Sequence, residues 1–117
     1  MQTFKPKGFK HGPEHKIQQD IIKMLLFHGW YVKVMHGSVY QAGFPDLFTC
    51  HYRYGIRLIE VKDPNRRGDV FTAAQHEEFP KITANGGGIW VMVDATEKEY
   101  NKLFDRPNWY QYLQAFK

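Results

Sequence analysis

The chain has 117 residues, 43% of them hydrophobic and 16% aromatic, which is enough material for one domain with a real core. Lys and Arg number 16 against 12 Asp and Glu, a net charge of +4 that favours an anionic partner, and nucleic acid is the commonest one. A single cysteine, Cys50, excludes an intrachain disulfide and Cys-rich zinc sites, and no apolar run approaches the ~20 residues that cross a bilayer, so an intracellular, reducing setting without a membrane is expected.

Residues 1–12 place Lys5, Lys7 and Lys10 among Pro6, Gly8 and Gly12 and read as a flexible basic arm, ahead of one domain over 13–117. A helix is expected next. Pro13 suits its first turn, Ile17, Ile21, Met24, Leu25 and His28 recur at helical spacing, and Gly29 stops it. Glu14 lies at the top of that apolar stripe, an unusual place for a carboxylate without a task.

Trp30–His36 is a strand candidate, and Gly37–Pro45 is a loop. Asp46–Tyr52 and Ile56–Lys62 read as strands joined by a turn at Arg53–Gly55, with Cys50 as a small core residue. A loop with Pro64, Arg66 and Arg67 leads to a helix from Thr72 to Ala84, capped by Thr72 or Asp69. Pro80 should kink or split that helix. Gly88–Asp94 is an apolar strand, and the tail suggests one or two short helices broken near Pro107. The order helix, three strands, helix, strand, helix predicts a mixed α/β sandwich.

The informative stretch runs from Gly43 to Lys62. If Tyr52 pairs with Ile56, Asp46 faces Lys62 and Phe48 faces Glu60, so Asp46, Glu60 and Lys62 share one face of the hairpin. An even-length turn would put Asp46 on the other face. Two carboxylates and a lysine at the end of a hairpin suit Mg²⁺, a hard ion that prefers carboxylate and water oxygens and keeps positions open for phosphate. Such a site hydrolyses phosphodiesters, the lysine orienting the attacking water or offsetting charge that develops on the phosphate.

Pro45-Asp46 followed by Glu60-Val61-Lys62 resembles the signature of the PD-(D/E)xK nucleases. The fuller pattern, with Glu14, Gly43 to Leu47, Glu60 to Lys62 and then Thr72 to Gln75, is similar to the VRR-NUC branch of that superfamily, over about Glu14 to Val93. The resemblance is to its stand-alone form, which some phages carry. It implies a restriction-endonuclease-like α/β core, a mixed four-stranded sheet flanked by helices in the order α-β-β-β-α-β plus a C-terminal helix. It implies Asp46, Glu60 and the Val61 carbonyl as metal ligands, Glu14 completing or tuning the metal shell, Lys62 as the catalytic lysine, and Gln75 touching the site, with an aromatic, Phe79, four residues on. The expected cofactor is Mg²⁺ with Mn²⁺ as the alternative, and no small-molecule cofactor. Small nucleases of this type are similar to Holliday junction resolvases, which implies branched DNA as substrate and a homodimer with Phe44, Trp90 and Trp109–Phe116 as interface material, although core packing explains those aromatics equally well. Lys5, Lys7, Lys10, Arg66 and Arg67 are the candidate phosphate contacts. Two other readings stay open. A sequence-specific restriction-type nuclease would need a recognition domain for which this chain has little room. A nuclease fold kept only to bind DNA would not need to retain Asp46, Glu60 and Lys62 together.

Overall fold

A computed structural model describes residues 12–35, 42–65 and 70–113. The arm with Lys5, Lys7 and Lys10, the expected strand end and loop at 36–41, the pair Arg66 and Arg67, and residues 114–117 lie outside the described residues.

Helix α1, Gly12–Phe27, starts one residue inside the expected arm. Its stripe buries Ile21 and Leu25 completely, each contributing roughly 1.5–3 kcal/mol. Gly29 adopts φ +87°, and the Trp30 amide closes the helix end on the Leu25 carbonyl at 3.0 Å. Strand β1, Tyr31–Val34, is shorter than expected and pairs antiparallel with β2, Leu47–His51. Strand β2 pairs antiparallel with β3, Gly55–Val61, which pairs parallel with β4, Ile89–Met92. The sheet order is β1-β2-β3-β4, the mixed four-stranded sheet that was expected.

The hairpin register differs from expectation by two residues. His51 pairs with Gly55 and Leu47 with Ile59, leaving Tyr52-Arg53-Tyr54 as the loop. The His51 Nδ1 accepts from the Arg53 amide at 3.0 Å, which closes the turn one residue earlier than Arg53–Gly55 suggests. The loop is still odd in length, so the alternation that matters survives. Leu47, Ile59 and Val61 point to α1, and with Trp90, Met92, Leu103 and Trp30 they form one core. Leu58, Ile89 and Val91 point the other way, to Phe71, Phe79, Trp109 and Tyr112 in a second core. Asp46, Glu60 and Lys62 alternate into this second face. Cys50 is on that face too and is half-buried, because the second core reaches across the sheet only to Leu58.

Helix α2, Ala73–Ala84, is capped by Thr72, whose hydroxyl accepts from the Gln75 amide while the Gln75 side chain accepts from the Thr72 amide. Pro80 lies inside it without splitting it. The buried Phe79, packed on Phe71 and Trp109 with ring centroids 5.5 Å from each, holds the helix across the missing amide. After β4, α3 (Glu97–Asn101) and 3-10 turns at Lys102–Phe104 and Trp109–Leu113 close the outer edge of the sheet. Asn108 Oδ1 accepts from the Val91 amide at 2.7 Å and Glu99 Oε1 from the Val93 amide at 3.0 Å, which blunts β4 as a free edge. Trp90 and Trp109 are buried in the two cores, so they pack the chain and do not present an interface. None of the described helices is long and apolar enough to cross a membrane.

Candidate active site

The site sits where β2 begins and β3 ends. The loop before β2 must run against α2. Gly43 has φ +83°, and a Cβ built on it would lie 2.5 Å from the Ala74 carbonyl oxygen and 2.8 Å from Glu78 Cγ. Only glycine allows that approach, and it delivers the buried Pro45 and then Asp46 to the sheet.

The two strands then exchange side-chain bonds in place of ladder bonds. The Val61 amide donates to Asp46 Oδ2 at 2.9 Å, and the Asp46 amide donates to Glu60 Oε1 at 3.2 Å. Each carboxylate is therefore fixed by an amide of the other strand. The Asp46 carbonyl accepts from the Met35 amide at 2.8 Å, which fixes the other side of this residue.

Glu60 and Lys62 alternate onto the same side of β3 and are 1% and 2% exposed. Their charged ends are 3.0 Å apart. Gln75 sits across both. Its Nε2 donates to Glu60 Oε2 at 2.8 Å, and its Oε1 accepts from Lys62 Nζ at 3.2 Å and from the Thr72 amide at 3.1 Å. The helix cap and the ion pair are thus one network. The Lys62 ammonium also stands 5.3 Å from the Phe71 ring centroid, a contact that favours its charge. The Lys62 amide, bonded to the Met92 carbonyl at 3.1 Å, continues the parallel ladder and holds the backbone below the side chain.

Of the residues read from the sequence, Asp46, Glu60, Lys62 and Gln75 come together, and Val61 contributes its amide between them. Glu14 belongs to a different element. It stands half-buried in the first turn of α1, which packs on the opposite face of the sheet. Among the described residues no three of His, Cys, Asp and Glu form a group able to hold a metal ion. Two residues escape sequence reasoning. Phe71 beneath Lys62 carries no signal beyond its place before the cap, and the close approach of Gly43 to α2 is a tertiary fact. Phe79, the aromatic four residues after Gln75, is core, and the exposed His76 sits at the edge of Phe71 with centroids 6.0 Å apart.

The donor set suits a divalent cation. Asp46, Glu60 and Lys62 carry a formal charge of one negative, with Glu60 and Lys62 buried and Asp46 half-buried, and the carboxylate oxygens are the hard type that Mg²⁺ prefers.

The fold has a solved counterpart. A structure of a "VRR_NUC domain" superposes with a TM-score of 0.62 at 24% identity, covering 81% of this chain and 97% of that one. The likeness establishes the fold, a mixed sheet with helices on both faces. No family model matches the sequence, and no curated protein matches it.

Proposed function

We propose that this chain is a nuclease that hydrolyses DNA phosphodiesters with a divalent metal, Mg²⁺ or Mn²⁺. The observation that carries the reading is the Asp46–Glu60–Lys62 cluster, with its Glu60–Lys62 pair buried and held by Gln75, on one sheet face. The likeness to a VRR_NUC domain supports it. The ligand set proposed is Asp46, Glu60 and the Val61 carbonyl. Glu14, at the start of α1, is proposed to complete or tune the metal shell.

The bound ion would polarise the phosphodiester and lower the pKa of a water. The chain's own groups do the rest. Asp46 and Glu60 are held in place before substrate arrives, because each accepts an amide bond from the opposite strand. Preorganisation of this kind avoids a reorganisation cost at the moment of reaction. Lys62 brings a fixed positive charge to the phosphate, and Gln75 and Glu60 hold its ammonium in one position. Burial sharpens each of these interactions by excluding water. Lys5, Lys7, Lys10, Arg66 and Arg67, with the net charge of +4, supply the salt-dependent grip on the backbone.

The test is cleavage of a four-way junction, a flap and a plain duplex, each with Mg²⁺, with Mn²⁺ and with chelator. Metal-dependent cutting of any of them, lost in Lys62→Ala, is the expected result. Failure to cut all three with either metal overturns the reading. Preference for the junction, with a dimeric mass in solution, would extend it to a resolvase-like activity. Cutting of plain duplex at one sequence would favour a restriction-type enzyme.

A further inference from the structure

Among the described residues, the second face of the sheet is only half covered. Helix α2 and the C-terminal turns pack over β3 and β4, and their core stops at Leu58. Beyond it the same face continues across β2 to β1 as open surface. Register and alternation place Tyr31 beside Cys50, Cys50 beside Ile56, and Lys33 beside Phe48, all on the face that carries Asp46 and Glu60. Tyr31 is 57% and Ile56 58% exposed, Lys33 is exposed, and Phe48 and Cys50 are half-buried. Val32 and Val34, which alternate the other way, are packed against the first core, so this exposure is a property of the face and not of a frayed strand.

Exposed tyrosine and isoleucine on a strand need an explanation, since a patch of this kind marks an interaction surface. From the level of Ile56 to that of Glu60 the sheet runs four residues, about 13 Å at ~3.3 Å per residue. That is the length of about four stacked bases at ~3.4 Å each. The surface therefore sets the exposed Tyr31 ring beside the cation Lys33, and its strand positions carry no acid between Ile56 and the site itself.

We infer that this open half of the sheet is a stacking floor for unpaired nucleobases of a DNA strand that leads into the Asp46–Glu60–Lys62 site. The inference rests on the proposed nuclease reading and adds the substrate feature, a single-stranded segment beside the scissile bond. Two observations select this occupant over a second copy of the chain. The face is continuous with the site and shares its side of the sheet. The formal charge on its strand positions, Lys33, is positive, in a chain of net charge +4, so two copies docked through it bring like charges together, while a polyanion offsets them. Tyrosine rings on a sheet accept bases of any sequence, because every base has a π face.

The test measures binding without cutting. A fluorescein-labelled thymidine oligonucleotide of about fifteen residues is titrated with the protein in chelator and followed by anisotropy. An abasic oligomer of the same length and a duplex serve as comparisons. The thymidine oligomer is expected to bind more tightly than the abasic one. Tyr31→Ala should weaken it by about fivefold to a hundredfold while leaving the melting temperature unchanged, and Tyr31→Phe should restore it. Lys33→Glu should weaken the thymidine and abasic oligomers alike. Equal affinity for the two oligomers, or no loss in Tyr31→Ala, overturns the inference. So does a Tyr31→Ala change in solution mass with unchanged DNA affinity, which would assign the face to a second copy. Wild type that binds the thymidine oligomer as expected but cuts no DNA with Mg²⁺ or Mn²⁺ would count against the nuclease reading alone.

Discussion

Replacing Lys62 with Met removes the positive member of a buried ion pair and keeps most of the side chain's length. Glu60, 1% exposed, is then left in the interior without its cation. Removing one partner of a buried pair costs about 3–5 kcal/mol. Glu60 retains the bonds from Gln75 at 2.8 Å and from the Asp46 amide at 3.2 Å, so the lower end, about 3 kcal/mol, is expected. A chain of this size has a total of roughly 6–15 kcal/mol, so the variant still folds. In urea its midpoint should fall by about 1–2 M with an unchanged slope. The double variant Glu60→Gln/Lys62→Met has no unpaired charge and should recover more than half of the loss. A single-variant loss below about 1 kcal/mol, or a double variant that loses the sum of both singles, would refute the claim that this pair is tightly coupled.

Gly43→Ala forces a Cβ to within 2.5 Å of the Ala74 carbonyl at φ +83°, so urea unfolding should show a loss of at least about 2 kcal/mol, with cleavage falling because Asp46 follows this loop. Asp46→Asn should lower cleavage by on the order of a hundredfold or more without lowering the melting temperature, since the amide oxygen still accepts from Val61. Wild type should melt higher in Mg²⁺ than in chelator, by an increment equivalent to about 2.7 kcal/mol at a hundredfold excess over Kd, and calorimetry on Asp46→Asn should show that increment lost. Burial works to lower the Lys102 ammonium pKa, but hydrogen bonds from its side chain to Glu99 and Tyr112 and the charge of Glu99 outweigh it and raise the value above the ordinary lysine range. Its contribution is therefore complete below the unfolded-state pKa and disappears as pH rises through the folded one. The stability gap between wild type and Lys102→Met should close in the alkaline range above the ordinary lysine value. A gap that closes on acidification instead would contradict this sign.

Much of the site is legible in the sequence because strand alternation is a parity rule. Asp46, Glu60 and Lys62 share a face whether the hairpin pairs Tyr52 with Ile56 or, as observed, His51 with Gly55. The register itself is not legible, since a histidine nitrogen reaching the Arg53 amide closes the turn, and no pattern announces that bond. Gln75 can be read as near the site but not as the bridge between the cap and the ion pair, which requires knowing how α2 lies on β3. Pro80 misleads because local backbone preference is a weak force beside the packing of Phe79 on Phe71 and Trp109.

The crossed bonds at the start of β2 have a spectroscopic consequence. The Val61 amide proton is held by the Asp46 carboxylate, and the Asp46 amide proton by Glu60. In a ¹H–¹⁵N correlation spectrum these two backbone resonances belong to different strands, and each reads the acid of the other. A cation drawing electron density from Asp46 would move the Val61 signal, and one drawing it from Glu60 would move the Asp46 signal. The chain thus carries one natural probe for each carboxylate, usable without labelling any side chain or turning over any substrate.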